Sequence, residues 1–380
     1  YKGGQHYYCK KCRRKFLPRV GRVKESDAKK ALDYVSGGKS LERISKDEKR
    51  SKGSIIKSVR ALGNDTDCRI IENARLSGIV IADEKKVFVC GRQMYLWGFL
   101  DFNSRFCVYS DVTLGRGWRD AARGLLAYYA NSNISALVSD GHPCYSRALV
   151  YLFAPYVVFV FWNRIPGKSF PLDFKRSAII IDDFGDHAVV SIGLDRAVPL
   201  GVFPCRSEED LASIISNFSS ELAVIIVNTK RNLSRVVLDI VGRRSRFIYH
   251  FICGYGYLKA YVERFFASIS RRLSLFDSRF MSLEGARSFS KLYAFDYNWL
   301  REHRSLGARP AEVVLGERLP DDEIDVLRLV ISLPRLNLDS VMRKLGFKPN
   351  IKKHLILLVL PLCCHFYAIF KPSLADVKRP

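Results

Sequence analysis

Three acidic residues stand where chemistry could use them. Asp83 lies in the strand-like run SGIVIADEKKVFV, Asp140 ends the apolar run SALVSD, and Glu263 opens the arginine-rich helical stretch YVERFFASISRRL. Carboxylates fixed on rigid elements are hard oxygen ligands that suit Mg²⁺ or Mn²⁺, whereas Cys and His select softer metals. Two such ions roughly 3.5–4 Å apart serve phosphodiester hydrolysis and strand transfer, one at the attacking oxygen and one at the leaving oxygen. Taken singly, each acid is an ordinary solvated strand-end or helix-start residue. A second candidate is Cys9-Lys-Lys-Cys12, beside His6. It has the spacing of half a zinc site, but a closed structural site needs four ligands and this is one pair.

The elements that must position these residues are legible. Residues 77–112 read as three successive strands, rich in β-branched and aromatic residues and broken by Gly, Asn and Asp. A helical stretch, WRDAARGLLAYYA, separates them from the run ending at Asp140. Residues 26–63 read as three short helices with a Gly-Gly break and two Ser starts. There Leu32, Val35, Leu41, Ile44, Ile56, Val59 and Leu62 give one apolar face per helix.

The segment 261–310, YVERFFASISRRLSLFDSRFMSLEGARSFSKLYAFDYNWLREHRSLGARP, resembles the C-terminal part of the catalytic domain of prokaryotic DDE insertion-sequence transposases, relatives of retroviral integrases. In that family the last metal-binding glutamate begins the same kind of helix. The resemblance implies an α/β fold: a ribonuclease H-like mixed sheet flanked by helices, with Asp83, Asp140 and Glu263 as catalytic residues and ligands of two Mg²⁺ (or Mn²⁺) ions. It further implies that Arg264, Arg271 and Arg272 hold phosphates. The chain departs from the family at position 270, which is Ser where a basic residue is common, with Arg271 and Arg272 following. Tyr297, Asn298, His303 and Arg304 resemble the Asn…His pair that closes the domain, and His303 is either a base or a packing or phosphate-contact residue. The Cys9–Cys12 pair resembles the second knuckle of the zinc ribbon that precedes many transposase domains, with the first Zn²⁺ knuckle expected upstream of Tyr1. The three-helix unit resembles a helix-turn-helix, which would make Ser51, Lys52, Ser54, Lys57 and Arg60 DNA contacts. The bland alternative is a solvated basic face.

The spacing from Asp140 to Glu263, 263 − 140 = 123 residues, is long for compact members of the superfamily. The intervening sequence repeats the order of the first half: three strands, a helix, a strand, a helix and a strand. LVSDGHPCYSRALVYLFAPYVVFVFW and IIVNTKRNLSRVVLDIVGRRSRFIYHF share a strand, a polar turn, a Ser-Arg-aliphatic helix and an aromatic strand. An internal duplication is therefore expected. The second copy carries Asp182 and Asp183 on its first strand and Asn228 where the first copy has Asp140. An amide offsets no cation charge, so the second copy reads as a structural or DNA-binding platform. A site in that copy built from Asp182 or Asp183 with Glu263 is the competing assignment, and coincidental patterning is the third.

The expected divisions are a partial zinc knuckle (1–20), a helix-turn-helix (26–63), the first part of the catalytic domain (77–162), a degenerate copy (175–255), the rest of the catalytic domain (256–318) and a tail (319–380). A net charge of +24, from 62 basic and 38 acidic residues, calls for a polyanionic partner. Ten cysteines, mostly scattered or in apolar strands, do not form a secreted disulfide scaffold. No apolar signal segment follows the first residues. The apolar run from Leu355 to Phe370 is short of the roughly 20 residues a membrane helix needs. The expectation is a cytoplasmic, nucleoid-associated transposase that binds element ends and target DNA as a homo-oligomer, with no membrane. Its alternative is an inactive remnant that only binds DNA.

Overall fold

In a computed structural model, the structure describes residues 7–8, 15–16, 25–154, 156–162, 178–193, 198–219, 224–243, 246–253, 259–274 and 279–345. Cys9, Cys12 and the run from Leu355 to Phe370 lie outside them. The chain forms two compact units, 1–336 and 337–380. The second contains one described element, α12 (Leu338–Lys344), and every other described element belongs to the first.

A short antiparallel pair, β1 (Tyr7–Tyr8) and β2 (Lys15–Phe16), precedes three helices: α1 (Glu25–Val35), α2 (Leu41–Asp47) and α3 (Lys52–Asp65). The two serines expected to start helices do so. Ser40 Oγ accepts from Arg43 N at 3.1 Å and Ser51 Oγ from Ser54 N at 3.2 Å, each cap contributing about 1 kcal/mol.

The remaining elements build one mixed sheet flanked by helices. The first half comprises β3 (Ile79–Val89), β4 (Arg92–Asp101), β5 (Cys107–Thr113), α4 (Trp118–Tyr129), β6 (Ala136–Ser139), α5 (Pro143–Phe153) and β7 (Val157–Trp162). The second repeats that order as β8 (Ala178–Asp183), β9 (His187–Ile192), β10 (Val198–Pro204), α6 (Glu208–Asn217), β11 (Val224–Asn228), α7 (Leu233–Gly242) and β12 (Ile248–Cys253). After these come α8 (Ala260–Ser274), β13 (Arg279–Phe280), α9 (Leu283–Phe295), a π-helical turn over Asp296–Leu300, α10 (Pro310–Leu315) and α11 (Glu323–Ser332).

The strand order is β10-β9-β8-β11-β7-β12-β6-β3-β4-β5, with β13 pairing to β3. From the two edges inward, β5-β4-β3-β6-β12 and β10-β9-β8-β11-β7 are the same arrangement. The fifth position of each half is filled by the other half's strand. β12 lies between β6 and β7, parallel to both, and β7 lies between β12 and β11, again parallel to both. The expected insert is thus not a separable body, because residues 157–162 and 248–253 have changed places. Both central strands, VVFVFW and IYHFIC, are buried throughout, as parallel strands covered on both faces must be.

Alternate side chains divide the two faces. Val158, Val160, Tyr249 and Phe251 cluster with Leu211 and Ile215 of α6 and Val236 and Ile240 of α7. On the opposite face, Phe159 meets His250, whose ring contacts Ser146 of α5. Helix α8 crosses β3 and β4, and α3 packs on α1 and α9.

One glycine sets the position of α8. Gly98 of β4 pairs with Asp83, and a Cβ there would lie 3.1 Å from the Phe266 ring. Gly98→Leu should therefore lift α8 from the sheet, costing about 1–3 kcal/mol by overpacking, read as a lower urea midpoint. An unchanged midpoint would mean that the phenyl ring swings aside.

Candidate active site

The acidic site lies midway along β3 and just past the C-terminal end of β6. These strands are parallel and paired as Ile79↔Ala136, Val80↔Leu137 and Ile81↔Val138. Two residues further along each chain are Asp83 and Asp140, which the register brings side by side. Farther along, β3 pairs through Phe88 and Val89 with β13, so the acids occupy the interval between those two partners.

Alternation along β3 sends Asp83 toward α8 and its neighbour Glu84 toward α5. One carboxylate oxygen each from Asp83, Glu84 and Asp140 lie within 4.8 Å of one another, close enough to share a cation. The donor set is all oxygen, which fits a hard divalent ion such as Mg²⁺ or Mn²⁺.

Two basic side chains balance the acids. Lys259 Nζ is 3.3 Å from Asp83 Oδ2, and both side chains are largely buried. Arg116 bridges Asp140, at 2.9 Å, and Glu84. The Tyr145 hydroxyl donates to the other oxygen of Glu84. Burial, reinforced by the Asp140 charge, raises the Asp83 carboxyl above its ordinary range despite Lys259. Burial pushes Glu84 up to about 7, against the pull of Tyr145 and Arg116. Burial alone would also raise Asp140, but the His142 N–H donating to it at 2.9 Å, with Arg116 and Lys259, leaves it below the usual carboxylate range.

Glu263 is not part of this group. It is exposed on α8, one turn after Lys259. Its backbone N–H donates to Lys259 O at 3.0 Å, which places the two residues about 40° apart around the helix at 100° per residue. Glu84, Arg116 and Lys259 were not anticipated from sequence. The available signal was the doublet Asp83-Glu84, repeated as Asp182-Asp183 in the second half.

The second half holds the corresponding site in altered form. Asp182 pairs with Asn228 across β8 and β11, and Asn228 Nδ2 donates to Asp182 Oδ1 at 2.6 Å. Asp183 takes the position of Glu84 and is clamped by Arg231 at 2.8 Å and by the Thr229 hydroxyl at 2.5 Å.

The residues expected to touch DNA have different surroundings. Lys52 and Lys57 are exposed on α3, while the Ser54 N–H belongs to the helix cap. Arg60 ties α3 to α9 through Glu284 at 2.9 Å and Ser282 at 3.2 Å. Arg264 and Arg271 are exposed. Arg272 is 7% exposed and donates to the backbone carbonyls of Tyr34, Val35 and Lys39, so its guanidinium serves the end of α1 inside the protein rather than a surface phosphate. Asn298 is buried and bonds both the N–H and the C=O of Cys107 at 2.8 Å, a packing role. The His303 ring meets Tyr297 O at 3.2 Å.

Beneath the site, the Nε2 of buried His250 is 2.8 Å from Ser139 Oγ. Burial lowers its pKa to about 3. The unfolded chain takes up that proton near pH 6.5, whereas the folded chain resists until far lower. Stability is thus complete above pH 6.5 and falls as pH drops toward 3, by up to about 1.4 kcal/mol per pH unit from this group. Urea unfolding at pH 7.5 and 5.0 should show a steeper loss for wild type than for His250→Asn. Equal losses would sink the assignment.

No family model matches this chain, and no curated protein matches it. Among solved structures, a chain in the cryo-EM structure of a simian T-cell lymphotropic virus intasome in complex with PP2A regulatory subunit B56 gamma is similar at 10% identity. That alignment covers 81% of this chain and 78% of that one, with a TM-score of 0.30. A ROK family transcriptional regulator, a homolog of the E. coli MLC protein, aligns over 80% of this chain and 98% of that one at 10% identity, with a TM-score of 0.12. Alignments this weak fix no fold, and the site stands on its own geometry. No described helix is long and apolar enough to cross a membrane.

Proposed function

We propose that the chain is a DDE-type transposase, cleaving DNA strands and transferring them, with Asp83 and Asp140 as ligands of divalent cations and Glu263 completing the set from α8. The observation that carries this reading is the pair of carboxylates set side by side by two adjacent parallel strands, Asp83 within β3 and Asp140 just past the end of β6. Their second-half counterparts have become a hydrogen-bonded Asp–Asn pair, so only one of the two equivalent positions keeps both charges. Glu263 lies on nearly the same side of α8 as Lys259, one turn after the lysine that contacts Asp83, within the segment that resembles the transposase family.

Bound Mg²⁺ or Mn²⁺ would supply Lewis-acid charge at the attacking and leaving oxygens of a phosphodiester. The chain's own groups bind and orient. Asp140 is held ionised by the His142 N–H and Arg116, and Arg116 and Lys259 carry positive charge to the edge of the site, where a phosphate's non-bridging oxygens can use it. Recognition of element ends through the exposed Lys52 and Lys57, with Arg60 beside them, capture of target DNA and action as a homo-oligomer belong to the same proposal. The net charge of +24 supports a nucleic-acid partner.

A second reading, a DNA-binding protein without catalysis, is favoured by one observation: Lys259 and Arg116 already neutralise the acids while Glu263 stands apart. The test is 3′-end cleavage and strand transfer in Mg²⁺ or Mn²⁺, on DNA taken from the sequences flanking the gene. Wild type is compared with Asp83→Asn and Glu263→Gln. Loss of activity in both supports the proposal. Activity that survives Glu263→Gln removes Glu263 and points to Glu84 as the third ligand, whereas binding without cleavage in either metal supports the second reading.

A further inference from the structure

Away from the carboxylates, four arginines converge on an open groove between α8 and the segment after the π-helical turn. Arg264 comes from α8, Arg301 and Arg304 from the segment after the turn, and Arg105 from the β4–β5 turn, with Tyr261 and His303 completing the walls. Glu302 is the one acidic residue lining it among the described residues.

The groove is built rather than incidental. Arg105 adopts a left-handed backbone, φ 58°, uncommon for a residue with a side chain. Its guanidinium lies 4.4 Å from the centre of the Tyr261 ring and bonds the Ser305 hydroxyl, while its Nε is buried with no hydrogen-bond partner. Arg301 is anchored by Asp296 and by the Tyr293 hydroxyl at 3.1 Å. Arg264 and Arg304 are exposed and form none of the ion pairs found among the described residues. Burial, together with the charges of Arg301 and Arg105, lowers the His303 pKa and keeps that ring neutral near pH 7. Two anchored guanidinium groups, two available ones and aromatic walls suit a phosphate ester that brings its own negative charge and a flat base.

We propose that this groove binds the phosphate backbone of a nucleic-acid strand. Its position on the Tyr261–Arg264–Ser268 side of α8, with Lys259 and Glu263 on another side, would let one strand touch both the groove and the acidic site. That last point rests on the proposed function, but the groove's affinity for a strand does not.

The test is binding of a fluorescein-labelled oligonucleotide to the full chain in EDTA, which keeps the result independent of any metal-dependent activity. Arg264→Glu with Arg304→Glu is compared with Arg92→Glu plus Arg318→Glu, an equal charge change at exposed positions outside the groove. The groove variant should bind about 10–100-fold more weakly than the control variant and lose about 2 from the log–log salt slope. Equal affinity in the two variants overturns the proposal. Saturable binding of millimolar inorganic phosphate, lost in the groove variant while the two variants bind oligonucleotide equally, would assign the groove to free phosphate and overturn the strand assignment. Should the groove variant unfold, Arg264→Gln with Arg304→Gln provides the same comparison with a smaller expected loss.

Discussion

Asp140→Asn should abolish metal-dependent cleavage while leaving the fold nearly as stable as before. The second half already contains this substitution: Asn228 stands where Asp140 does, and its amide donates to Asp182 at 2.6 Å without disturbing the strand pairing. The amide introduced at position 140 can bond Asp83 in the same way. That bond removes the repulsion that helps raise the Asp83 pKa and offsets part of the lost contact with Arg116. The charge needed to hold a divalent ion is lost outright. Several kcal/mol of transition-state stabilisation should go with it, roughly a 10³-fold fall in rate at 1.4 kcal/mol per decade. Cleavage rate and thermal midpoint measured on the same preparation separate the two effects. Cleavage within tenfold of wild type would move the chemistry away from these two acids.

Arg272→Ala should destabilise the protein strongly. Arg272 looks, from its sequence neighbours, like a surface arginine of a DNA-facing helix, yet it is buried and donates to Tyr34, Val35 and Lys39 carbonyls. Those carbonyls belong to the last turn of α1 and the residues after it, where helix ends leave acceptors without intrahelical partners. Removing the side chain strands buried acceptors and opens a void, together costing about 3 kcal/mol. For a chain of this size that corresponds to a fall of roughly 4 °C in Tm. Arg271→Ala, one position earlier and exposed, should leave Tm unchanged. If instead Arg272→Ala keeps its Tm and loses DNA affinity, the surface assignment was right.

The contrast between these neighbours marks where sequence reasoning stops. Strands β3 to β5 were legible because their apolar and aromatic runs are punctuated by Gly, Asn and Asp. Asp83 and Asp140 could be placed because Asp83 interrupts such a run and Asp140 closes one. Glu84 was hidden by the same pattern, since on a strand it reads as the outward residue of an alternating pair, and only the α5 hydroxyl of Tyr145 makes it inward. Lys259 and Arg116 sit outside any periodic stretch, so nothing local announces that they meet carboxylates. Arg271 and Arg272 differ by 100° of helix rotation, and which one faces α1 depends on where α1 packs. The repeat was visible in the element order and in the Asp140–Asn228 difference. The exchange of β7 and β12 was not, because two fully apolar strands carry no alternation to say which neighbour each prefers.

That exchange governs the order in which the protein can be assembled. β6 acquires its inner neighbour only from residues 249–252, more than a hundred positions downstream, so the sheet around Asp140 keeps an unpaired hydrogen-bonding edge until nearly the whole second half has left the ribosome. Closure over such a sequence distance is slow, and an open apolar edge invites pairing with another chain in the meantime. A fragment ending near residue 162 would carry Asp83 and Asp140 together with a strand, β7, whose two partners it lacks. The second half thereby supplies the strand that completes its neighbour, whatever the charge of its own carboxylates.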